Sequence, residues 1–162
     1  MKNKNEKTKM NCQFLKTVSE TEKLVIEALD GKMNFANAQD IVKSEITYPD
    51  LESQPAVATE ETEVTIMALI KSANFEEIFA DITENLDKIV MTQAQIIRFC
   101  EKYFSIDSQA NDVAFSLIKV GCEYFVVNLS NYEHNFYAST FEFDFLPEWE
   151  ANSGVFVVVP VE

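Results

Sequence analysis

The chain has 162 residues, with 13 basic and 27 acidic side chains for a formal charge of −14, 47% apolar residues, three Cys and one His. This is enough for one ordinary domain with a core that needs no staples, and its negative field disfavours direct binding to phosphate backbones or anionic lipid. Cys12, Cys100 and Cys122 are odd in number and widely spaced, with no C-x-x-C; this argues against a disulfide framework or structural zinc and for free thiols in a reducing, cytoplasmic compartment.

The charge is uneven. Residues 1–32 hold seven Lys and five acids, whereas no Lys or Arg follows Lys119. The N-terminal stretch is basic but lacks the apolar core of a signal peptide, and no apolar run is long enough to span a bilayer.

Residues 1–10 read as a polar, disordered tail. The spacing then predicts helix. Ser19 and Glu22 form a capping box, Leu24, Val25, Ala28 and Leu29 a stripe, and Gly31 a C-cap. A second short helix is expected from Phe35 to Val42. Residues 11–43 therefore read as a helical N-terminal appendage. Residues 44–63, rich in acids and carrying Pro49 and Pro55, read as an acidic linker. Residues 64–162 read as the main domain. Val64–Ile70 is of ambiguous type.

Two further capping boxes follow. Asn74 with Glu77 opens a helix whose Phe75, Ile78, Phe79, Ile82, Leu86 and Ile89 recur at helical spacing. Thr92 with Gln95 opens another through Ile96, Ile97, Cys100, Tyr103 and Phe104. After Val113 the period becomes two. Strands are expected over 113–118, 124–129, 136–145 and 155–159. Gly121-Cys122 supplies a tight turn and Ser130–Asn135 a polar connection. The unbroken run Val155–Val159 suits a strand buried on both faces or paired at the sheet centre. The expectation is an α+β fold: helices followed by an antiparallel sheet of about four strands, the helices packed on one face.

The segments Leu86-Asp87-Lys88, Thr92–Ile97 with Phe99 and Cys100, Phe115–Lys119, Tyr124–Val127, Phe141-Glu142, and Trp149 ahead of Val157–Pro160 resemble a module of small uncharacterised proteins from candidate-phylum bacteria with reduced genomes. The resemblance covers about half the chain. It departs where Phe104-Ser105 stands in place of a Trp-Leu pair. It implies a shared fold and no activity.

Catalytic constellations are sparse. His134, the single histidine, sits between Glu133 and Asn135 with no nucleophile beside it in sequence. Cys122, at a turn in an acidic chain, lacks the positive surroundings that activate a thiol. Glu133, His134, Glu142 and Asp144 lie on adjoining strands, but alternating acids on a strand are usually its wet face. Gly31, Gly121 and Gly154 make no phosphate-binding loop. Neither a catalytic residue, a metal ligand nor a cofactor is therefore assigned.

Glu77, Asp81, Glu84 and Asp87 fall on one face of the helix begun at Asn74, opposite its apolar stripe. Trp149, between Glu148 and Glu150, is placed as a partner anchor or as a lid over the sheet edge. These five residues are the expected partner-binding set. The leading expectation is a non-enzymatic protein–protein interaction module with a partner of basic character. An acidic mimic of nucleic acid, inhibiting a basic DNA- or RNA-binding protein, is the first alternative. An enzyme with a site near His134 is the second. An unpaired edge strand would add a homodimer.

Overall fold

The computed structural model describes residues 12–18, 23–151 and 154–161. The expected tail over 1–10 and the Ser19–Glu22 capping box lie outside the described residues. Eight strands form one mixed sheet: β1 (Leu15–Thr17), β2 (Leu24–Ile26), β3 (Lys43–Ser44), β4 (Thr62–Leu69), β5 (Val113–Val120), β6 (Glu123–Tyr132), β7 (Asn135–Glu142) and β8 (Val155–Pro160). The order is β1-β4-β8-β5-β6-β7-β3, and β2 pairs with β4 beside β1. The β5–β8 and β3–β7 pairs are parallel and the others antiparallel.

This corrects the expected fold. Strand accounts for 37% and helix for 17%, only one helix among the described residues reaches seven residues, and the sheet is mixed rather than a four-stranded antiparallel layer behind a run of helices. The N-terminal stretch expected as helix supplies β1, β2 and β3. Leu24, Val25, Ala28 and Leu29 are spaced as a helical stripe, but Leu24–Ile26 pairs with Val64, Glu63 and Thr62 instead. Three residues are too few to display an alternation that would betray a strand. Ile26, Phe35, Val42 and Leu51, from the stretches read as appendage and linker, are buried in one core with Ile96, Ile97 and Val127.

The sheet is covered on both faces, not one. Along β5 the buried side chains alternate, with Ala114 and Ile118 facing one core and Phe115 and Leu117 the other. β8 does the same through Val158 against Val157 and Val159. A strand buried on both sides reads as the continuous apolar run seen at Val155–Val159, and β8 indeed lies between β4 and β5.

One face carries α1 (Phe75–Ala80) and the 3₁₀ turn Leu86–Ile89. The other carries α2 (Gln93–Phe99), a π-helical stretch Cys100–Phe104 and α3 (Ser105–Asp107). Between the faces the chain uses the part of β5 that β8 leaves free: Val90 bridges Leu117, and Met91 N donates to Leu117 O at 2.9 Å.

Both capping boxes form. Asn74 and Glu77 bond reciprocally at the start of α1, as do Thr92 and Gln95 at α2. The helix expected to run from Phe75 to Ile89 ends at Ala80, however. Thr83 Oγ1 accepts from Asn85 N and Asn85 Oδ1 from Asp87 N, so short polar side chains take the backbone donors a continuing helix would use.

Short strands cover parts of the two long outer strands. β1 and β2 lie along β4. β3 lies along β7, and beyond it Thr140 Oγ1 donates to Tyr48 O at 2.7 Å.

Candidate partner-binding surface

Phe75 opens α1 and is fully buried. Around it stand Phe115, Phe141, Phe145 and Trp149, with ring centroids 5.1, 5.7, 6.1 and 5.6 Å away. This cluster fixes the segment between β7 and β8. Ala73 and Trp149 exchange two backbone hydrogen bonds, of 3.2 and 2.8 Å, and Phe145 N donates to Glu142 O at 3.1 Å. Pro147 cannot donate to a sheet ladder, which suits a segment that leaves β7 and runs over the surface.

The result is an apolar tip on an acidic surround. Leu146 is 75% exposed and Phe145 37%. Glu142, Asp144, Glu148 and Glu150 are all exposed in the same segment, and Glu76, adjoining Phe75, is exposed on α1. No Lys or Arg occurs anywhere after Lys119. The carboxylates keep the apolar tip solvated without adding a cation that would repel a basic partner.

The expected set is brought together only in part. Glu77 sits in the first turn of α1 and caps Asn74 N at 3.2 Å. Trp149 is half-buried, and its ring packs on Phe115 at 4.8 Å, the arrangement of a lid rather than a projecting anchor. Asp81 lies past the end of α1, and its two carboxylate oxygens each accept a backbone N–H at 2.8 Å, from Gln13 and Phe14. It therefore clamps the chain leading into β1.

Asp87 accepts from Lys119 Nζ at 2.8 Å and Tyr124 O–H at 2.6 Å, which ties the 3₁₀ turn to the β5–β6 hairpin. Those two hydrogen bonds, Lys119 first, hold its carboxyl below the ordinary aspartate value. Glu84 is exposed between α1 and the 3₁₀ turn. The four acids thus do not share one helical face, and three of them, Glu77, Asp81 and Asp87, are engaged within the fold. Phe145 and Leu146 were not singled out from sequence as surface residues. The available signal was two large apolar residues directly before Pro147, at the end of a strand.

His134 and Glu133 form the two-residue turn between β6 and β7, with φ of 63° and 49°. His134 is exposed at the edge of a 340 Å³ depression beside Asp40, Lys43, Glu101 and Ser105. It makes no side-chain hydrogen bond or ion pair among the described residues. Cys122 lies at the opposite end of the ten-residue β6, roughly 30 Å away at strand rise. Glu142 and Asp144 lie at that far end as well. His134 is thus held apart from Cys122, Glu142 and Asp144 by the length of the hairpin. Among the described residues no group of three or more His, Cys, Asp or Glu is placed to hold a metal ion, and no helix is long and apolar enough to cross a membrane.

The three cysteines are free. Burial pushes the Cys100 thiol up to about 12. Burial, then the Asp81 charge, raises that of Cys12, whose Sγ donates to Asp81 O at 3.4 Å. Comparison with known proteins gives no matching family model, no matching curated protein and no matching solved structure.

Proposed function

We propose that this protein is a non-enzymatic interaction module that binds a basic protein partner through the acid-rimmed apolar tip of the 142–150 segment. The observation that carries the reading is Leu146, 75% exposed beside Phe145, amid the exposed carboxylates of its own segment. Exposed apolar surface with a polar rim marks interaction sites. The rigid aromatic base beneath it lowers the ordering cost of binding. The free thiols fit work in a reducing cytoplasm, and the charge of −14 fits a partner that is protein and not nucleic acid.

Native affinity capture with the full chain tests this. A basic protein should be retained, more weakly as salt rises, and Leu146→Ala with Phe145→Ala should weaken binding about tenfold or more. Competition by duplex DNA would favour the nucleic-acid mimic. Retention that ignores both substitutions would end the reading.

A further inference from the structure

A second site lies on the opposite face of the sheet from Phe75. Between the helical segment 93–107 and the sheet is a cavity of about 300 Å³, at the lower end of the ~300–1,000 Å³ typical of small-molecule pockets. Its apolar walls include Leu24, Ile66, Phe99, Phe104 and Phe156. Its polar side chains besides Tyr103 are Asp107, Ser108 and Asp112, and none of its lining residues is cationic.

Two independent features converge there. The first is Asp112, 8% exposed. Its Oδ2 accepts from Gln109 N at 2.6 Å, and no Lys or Arg among the described residues pairs with it. A carboxylate drawn into an apolar wall without a counter-charge is costly to keep. Gly154 permits the placement: at φ +105°, it leaves space where a Cβ would stand 2.6 Å from Asp112 Oδ1. The second feature is the π-helical stretch Cys100–Phe104 itself. Such wide turns are rare and recur at functional sites. Here the stretch contributes Tyr103 and Phe104 to the cavity wall, and Tyr103 O–H both donates to Val25 O and accepts from Val25 N, at 2.9 and 2.7 Å. Arg98 and Lys102, the cations of this helical segment, are taken up by Glu27, with Arg98 also on Glu101, so their charge is spent outside the cavity.

We infer that this cavity binds a small organic amine, its ammonium group on Asp112 and its apolar body against Phe104, Phe99 and Phe156. Aromatic walls attract a cation, so walls and carboxylate favour the same ligand charge. The site is distinct from the 142–150 surface and does not depend on it.

The test uses full-length, isotope-labelled protein titrated with three probes of matched shape: 2-phenylethylamine, 2-phenylethanol and 3-phenylpropanoate. The amine should give saturable amide shifts over residues 103–114 and intermolecular NOEs from its ring to Phe104 and Phe156. It should bind about tenfold tighter than the alcohol, and the carboxylate should not bind. Asp112→Asn should bring amine and alcohol to equal affinity. Ala114→Leu, which fills the cavity floor, should abolish both. If either variant fails to fold, the NOEs and the amine-to-alcohol ratio in the unaltered protein decide the matter. Equal binding of the carboxylate, or no saturable shift with the amine by about 10 mM, would overturn the inference.

Discussion

Replacing Phe75 by Ala should remove much of the stability of this protein. The side chain is fully buried and touches four aromatic rings, meeting Phe115 edge-on at 5.1 Å and 87°. Truncating a buried Phe to Ala costs about 3–5 kcal/mol through lost transfer energy and the cavity left behind. Favourable aromatic geometry adds about 0.5–1.5 kcal/mol per pair, less than additively when several share one ring. The upper part of the range, about 4–5 kcal/mol, is therefore expected, against a total of about 5–15 kcal/mol for a domain. Phe75→Leu keeps most of the volume and should cost about 1.5 kcal/mol.

Urea unfolding followed by fluorescence measures both, because Trp149 is the single tryptophan and its ring lies 5.6 Å from that of Phe75. With a slope of about 2 kcal/mol per molar urea, Phe75→Ala should lower the midpoint by about 2 M. A shift below about 0.5 M, or equal shifts for Ala and Leu, would refute the packing described for this face.

Other outcomes follow from single contacts. Gly31→Ala should destabilise by at least about 2 kcal/mol in thermal unfolding, since at φ +78° an added Cβ would stand 2.0 Å from Val57 O. In an NMR titration, Asp87 should lose its proton below the ordinary aspartate value of 3.8, so the stability it adds is present above that pH and fades as acidification passes its lower folded value. Asp87→Asn should bring the Tyr124 phenol, held high chiefly by its hydrogen bond to Asp87, back down towards 10.0. A thiol reagent under native conditions should label exposed Cys122 first, Cys12 slowly, and Cys100 only on unfolding, as read by mass spectrometry. Asp81→Ala should speed labelling of Cys12 by removing both the charge and the clamp on Gln13 and Phe14.

What could be read from the sequence was local. The boxes at Asn74 and Thr92 need only residues three apart, and both form. Gly121-Cys122 turns β5 into β6 as its glycine suggests, with φ +62°. The period-two runs appear as β5 to β7, and the apolar run at 155–159 as central β8. What was hidden depends on partners distant in the chain. β1, β2 and β3 have three, three and two residues and exist because β4 and β7 offer them an edge. Gly31 has the positive φ expected of a C-cap, but the reason is the backbone of Val57 against it.

Ile82, Leu86 and Ile89 keep helical spacing across a break that lies after Ala80. The acids followed the same division. Asp81 and Asp87 looked free in sequence, yet their partners lie 67–68 and 32–37 residues away. For Leu146 the local signal, its place directly before Pro147, is weak; it is the completed aromatic cluster that leaves it outside.

The most direct measurement of the binding surface is site-specific photo-crosslinking in the native cell. A crosslinking residue at position 146 should give one dominant adduct, to a basic protein, and the adduct should disappear when Glu148→Lys and Glu150→Lys are added. The same residue at position 106, also 75% exposed in Ile106, should not give it. Equal adducts from both positions, or an adduct at 146 indifferent to the charge reversals, would contradict the account.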